Sequence, residues 1–214
     1  TVIEADNGDL LAAGSSMVDG NVDVIRVNAD GEQLWRRQYM NGYAKAIIEL
    51  KNGNFLVCGY ELFRGFLLLL NADGDEIWSR LYATGEEFGA SGTFNSMRET
   101  DNQVVVSGEG KRSQQEWFHI WLLKVDLEEG GDILWERHHF VGQYCGCNTI
   151  ISCAGGFVLS GLTAGLNTYL MKVNQVGANL WTRTYDRQVD SETAYSLALL
   201  DGGGYGIAGR AWTR

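Results

Sequence analysis

Apolar and polar residues alternate along this chain in short runs, most plainly over residues 45 to 82. Four runs stand there: Lys45 to Leu50, Asn54 to Tyr60, Gly65 to Asn71 and Glu76 to Tyr82. Each has the pattern of a short β-strand. The joins are turn sequences. "KNGN" links the first two runs, and its Asn-Gly pair takes the positive φ angles of a tight hairpin. "NADG" links the third and fourth and puts Gly in the left-handed position after a turn. Four antiparallel strands joined by hairpins are therefore expected.

Two figures recur about every fifty residues over the whole chain. The first is a strand that ends in a small residue and Gly: "LLAAG", "FLVCG", "VVVSG", "FVLSG" and "YGIAG", closing at Gly14, Gly59, Gly108, Gly161 and Gly209. The second is a Gly followed four places later by Trp, at Gly31/Trp35, Gly74/Trp78, Gly131/Trp135 and Gly177/Trp181. Four strands per repeat make a blade with two apolar faces, which must be covered by stacking on neighbouring blades. The expected fold is thus an all-β propeller, a single domain or segment of about four and a half blades. The blades cover residues 1–40, 43–83, 93–140 and 147–185, with a half blade at 193–210.

In that arrangement Trp35, Trp78, Trp135 and Trp181 lie in outermost strands and dock one blade on the next. The five closing glycines suit a crowded place where backbones approach closely. The half blade has two inner strands and no outer pair. Further blades of the same propeller, a five-bladed ring with one half blade, or strands from another chain would each complete it.

The turn with Asn or Asp, its Gly, and Trp four places later resemble the tryptophan-docking repeat of quinoprotein-like (PQQ-like) propellers. The fuller stretches "AYSLALLDGGGYGIAG" (194 to 209) and "TYLMKVNQVGANLW" (168 to 181) are more similar to bacterial and archaeal surface-associated β-propeller repeats. The resemblance spans essentially the whole chain. It implies a secreted or cell-envelope protein without a defined activity. Part of a quinoprotein-like enzyme is one alternative it opens, but that family's adjacent-cysteine pair is missing here, since Gly146 separates Cys145 from Cys147. No cofactor is expected.

Composition adjusts this picture only at its edges. With 28 Gly and no Pro, the sharp turns fall to Gly, which favours β-hairpins. A formal net charge of −10 without a basic run argues against nucleic acid or an anionic membrane as partner. The longest apolar run, Phe66 to Leu70, is too short to span a bilayer. Four Cys do not make a disulfide framework.

The candidate chemistry is sparse. "NADGE" and "NADGD" place oxygen ligands beside Gly as calcium loops do, but they lack the further acidic positions of such loops and read best as hairpin turns. "HHFVGQYCGC" (138 to 147) gathers His and Cys, with His138 and His139 on opposite faces of a strand, yet the spacing does not match a structural zinc site. No metal site and no catalytic residue is assigned, because no nucleophile motif occurs. In "EWFHIWLLKVD" (116 to 126), Trp117 and Trp121 fall on one side of a strand and are candidate ligand contacts. The polar stretch 109 to 116 before them is a candidate binding loop. The function expected from all this is a non-catalytic scaffold that binds a protein partner through rim loops. A carbohydrate-binding propeller that recognises a glycan is the alternative.

Overall fold

The computed structural model describes residues 1–212 apart from 88, 166 and 187–190. Its strands form four complete antiparallel sheets and one half sheet. The first blade holds β1 (Val2–Glu4), β2 (Leu10–Ser15), β3 (Asn21–Val27) and β4 (Gln33–Asn41). The second holds β5 (Tyr43–Glu49), β6 (Phe55–Glu61), β7 (Arg64–Leu70) and β8 (Glu76–Tyr82). The third holds β9 (Ser91–Thr100), β10 (Gln103–Lys111), β11 (His119–Asp126) and β12 (Ile133–His139). The fourth holds β13 (Cys145–Cys153), β14 (Gly156–Thr163), β15 (Thr168–Asn174) and β16 (Asn179–Tyr185), and the half blade is β17 (Ser191–Leu199) with β18 (Tyr205–Trp212). Strand order within each sheet follows the chain, so every connection inside a blade is a hairpin.

The core is a series of layers between blades. Leu11, Val22 and Val24 of the first blade meet Ile47, Phe55 and Phe66 of the second. Leu56 and Leu67 of the second meet Phe94, Met97 and Trp121 of the third. Ile120 and Leu122 of the third meet Ile150, Phe157 and Tyr169 of the fourth. A smaller layer joins Val158 and Leu170 to Leu197 of the half blade. Each sheet buries both faces, which is why the middle strands read as continuous apolar runs such as Phe66 to Leu70.

The turns have physical causes visible in the residues. Asn28, Asn71 and Asn174 each spend their side-chain oxygen on two backbone N–H groups of their own hairpin. Gly31, Gly74 and Gly177 take φ of +83°, +80° and +75°. These oxygens are committed to the turn rather than turned outward as cation ligands. The "KNGN" turn differs from expectation: Gly53 has φ of +80°, but Asn52 is not left-handed. Gly53 N–H instead donates to Leu50 O at 2.8 Å, and Asn52 Oδ1 accepts from Asn54 N–H at 3.1 Å. The hairpin with two left-handed central residues is the next one, Asp101 and Asn102 with φ of 48° and 56°.

The small-Gly figure answers to a β-bulge. In β5, β9, β13 and β17 the register skips one residue, at Lys45, Asn95, Asn148 and Tyr195, opposite Gly59, Gly108, Gly161 and Gly209. A Cβ on those glycines would stand 2.0, 1.8, 2.0 and 2.1 Å from a backbone carbonyl oxygen of the innermost strand. Gly14 meets nothing within 4 Å, because the register of β1 with β2 stops at Ala12. Two of the bulged residues latch consecutive blades: Asn95 Nδ2 donates to Cys147 O at 2.9 Å and Asn148 Nδ2 donates to Ala194 O at 2.8 Å.

Candidate functional site

The outermost strands dock each blade on the next through positions that repeat. The Trp35 ring lies 3.1 Å from where a Cβ on Gly74 would stand, and Tyr39 OH donates to Gly74 O at 2.7 Å. Arg37 pairs with Asp75, just after that Gly. In the following blade Trp78 packs on Gly131, Tyr82 OH donates to Gly131 O at 2.7 Å and Arg80 pairs with Asp132. Trp135 packs on Gly177, and His139 Nε2 donates to Gly177 O at 2.9 Å. Ala178 supplies no carboxylate there, so Arg137 turns to the Glu136 carbonyl at 2.7 Å. The tryptophans are half-buried rather than fully covered. Sequence inspection found the Trp and the Gly but missed the Arg two residues and the aromatic or His four residues after each Trp. The spacing was visible; the reason for it was not.

The two rims differ in chemistry. On one rim lie the β2–β3, β6–β7 and β10–β11 hairpins together with the connections between blades. These hairpins expose Met17 (102%), Val18 (97%), Leu62 (73%), Phe63 (71%) and Trp117 (62%), and the connection after β12 adds Phe140. On the opposite rim, no large apolar side chain is exposed in the turns of the first three blades. Leu62 holds φ of +49°, a left-handed conformation that suits Asn or Gly better than a branched side chain. Neighbouring rim segments support one another: Gly92 N–H donates to Phe63 O at 2.7 Å, and Cys145 N–H donates to Phe118 O at 2.9 Å.

Beneath Trp117 runs a short polar chain. His119 is buried; its Nδ1 donates to Trp117 O at 3.3 Å, and its Nε2 lies 2.6 Å from His138 Nδ1. His138 Nε2 is 3.2 Å from Glu136 Oε1, which also accepts from Trp121 Nε1 at 2.6 Å. A carbonyl only accepts, so neutral His119 offers Nε2 as acceptor, and the chain of bonds is complete when His138 carries both protons beside the carboxylate. Burial raises the Glu136 carboxyl, but the bonds from His138 and Trp121 outweigh it and hold the group below its ordinary value. Among the described residues, neither His119 nor His138 is bonded to a hydroxyl or thiol, so the chain anchors the rim loop rather than activating a nucleophile.

Burial first, then the neighbouring His138, pushes the His119 pKa down from 6.5 to about 4. The unfolded chain therefore binds more protons between those values, and stability is lost as pH falls through that window, by about 3 kcal/mol at most. Urea midpoints measured between pH 7.5 and 4 should fall less steeply in His119→Gln than in the unaltered protein. Equal slopes would move the sensitivity to His139, which burial also lowers.

The sequence-derived candidates separate in the structure. Trp117 stands on the exposed rim, but Trp121 has 0% exposure, with its ring centroid 4.6 Å from that of Phe94. The shared-face reading fails because β11 begins at His119, so Trp117 precedes the strand and its alternation. Trp121 is a core residue and not a ligand contact. The 109 to 116 loop is also shorter than expected at its start, since β10 continues to Lys111. His138 and His139 do face opposite ways, one to His119 and one to the next blade. Cys145 and Cys147 are buried free thiols, and desolvation raises Cys147 to about 11. Among the described residues, no three His, Cys, Asp or Glu side chains gather as metal ligands.

No family model matches this chain, and no curated protein matches it. Solved structures do. A protein of unknown function from Bacteroides caccae aligns with a TM-score of 0.61 at 19% identity, over 94% of this chain and 64% of its own. The Dos1 propeller aligns with a TM-score of 0.61 at 13% identity, over 100% of this chain and 55% of its own. The fold is a β-propeller. At these identities the likeness concerns the fold alone, and the propeller here spans under two thirds of the length of either neighbour.

Proposed function

We propose that this propeller is a non-catalytic scaffold that binds a protein partner through the rim carrying Met17, Val18, Leu62, Phe63 and Trp117. The observation that supports it is the contrast between rims: apolar side chains occupy successive hairpin tips on one side, while the other side is finished with Asn, Asp and Gly. Exposed apolar groups arranged together on a rigid frame mark interaction surfaces. The left-handed Leu62 fits the same reading, since an unfavourable backbone angle is kept where a more stable residue was available. The carbohydrate reading retains only Trp117 of its two aromatic rings. A position outside the cell or in its envelope rests on the repeat resemblance alone.

Photo-crosslinking from the two rims tests this. A reactive residue at Val18 or Phe63 should give discrete protein adducts in a native extract, and Leu62→Asp with Trp117→Ser should abolish them. The same probe at Asp30 or Asn52, on the opposite rim, should give none. Equal yields from both rims, or no adduct from either, would remove the support for this reading.

A further inference from the structure

Blade docking repeats three times, and a fourth set is in place without its counterpart. β16 carries Trp181, Arg183 and Tyr185 at the spacing of Trp35, Arg37 and Tyr39. Among the described residues no outer hairpin meets this set, because the half blade consists of β17 and β18 alone. Tyr185 is exposed, Arg183 reaches only the Thr182 carbonyl at 3.4 Å, and the Trp181 ring centroid is 6.2 Å from that of Tyr205. Beside them lies an open cleft of about 760 Å³, lined by Thr184 and Tyr185 on one side and by Ile207, Gly209 and Ala211 on the other. The outer edge of β18 has no strand partner among the described residues.

From this we infer that β16 and β18 together form a seat for one β-hairpin built to this chain's own repeat, the outer half of a fifth blade. The occupant's chemistry follows from the three filled seats. Its first strand adds to β18 through backbone hydrogen bonds. Its turn begins with Asn, which closes the loop with its own side chain, and contains a Gly at positive φ, because a Cβ there would meet the tryptophan ring at about 3 Å as at Gly74, Gly131 and Gly177. The residue after that Gly is acidic, to pair with Arg183 as Asp75 and Asp132 pair with Arg37 and Arg80. Its Gly carbonyl accepts from Tyr185 OH. The apolar and charged parts of the seat continue an interface already formed three times in the same molecule, and this argument is independent of the rim.

A synthetic peptide with the sequence of residues 21–41, carrying Trp35→Phe so that it is silent in tryptophan fluorescence, is the probe. It contains Asn28, Gly31 and Glu32 in the required order. The expected result is one-to-one binding by calorimetry, with new hydrogen-exchange protection of the β18 amides. Arg183→Glu, at an exposed position, should weaken binding at least tenfold, and a Glu32→Lys peptide should restore it. Absence of binding, or binding indifferent to the charge exchange, overturns the proposal. So does a discrete dimer of the protein that already protects β18 without peptide, since the seat would then belong to a second copy.

Discussion

Gly108→Ala should cost about 3 kcal/mol of folding stability, whereas Gly14→Ala, in the same sequence column, should be neutral or stabilising by up to about 1 kcal/mol. A Cβ at Gly108 would stand 1.8 Å from Thr93 O and 3.0 Å from Phe94 Cα. Both obstacles are backbone, and the skipped residue Asn95 is tied across to Cys147 O, so the bulge cannot flatten without breaking the latch to the fourth blade. At Gly14 the same Cβ meets nothing within 4 Å, and alanine there reduces only the freedom of the unfolded chain. Urea midpoints, read with hydrogen exchange in case the blades open one at a time, measure the difference. If Gly108→Ala proved as harmless as Gly14→Ala, the bulge would not be the reason for the glycine column.

Trp121→Ala should destabilise the protein by about 3–5 kcal/mol. It deletes a fully buried ring stacked on Phe94, opens a cavity between the second and third blades, and takes from Glu136 the Nε1 donor at 2.6 Å. Trp117→Ala, only four residues earlier, should change stability by less than about 0.5 kcal/mol and act only on partner capture. Paired urea titrations decide this. A costly Trp117→Ala with a tolerated Trp121→Ala would reverse the assignment of rim and core.

Both predictions turn on where local pattern stops carrying information. The runs of residues 45 to 82 were readable as four strands because strand alternation and hairpin turns depend on neighbours a few residues apart. "NADG" was readable as a left-handed turn for the same reason. The two tryptophans of the third blade were not separable, because alternation assigns faces only inside a strand and nothing local marks His119 as the place where the strand begins. "KNGN" misled because its Asn side chain bonded the backbone two residues on, an option with the same sequence signature as the tight hairpin.

What the sequence by itself determined is the repeat: strands in order, Asn-x-x-Gly turns, and a docking tryptophan about every fifty residues, all encoded over a few positions and therefore legible without coordinates. The tertiary structure alone decided what those positions answer to. The closing glycines answer to a bulged strand 15 residues away at Gly108 and Thr93, the arginine after each tryptophan to an acid in the next blade, and the hairpin tips to a shared rim. Each of these depends on groups brought together across a hairpin or between blades, and proximity of that kind exists only once the sheets have stacked.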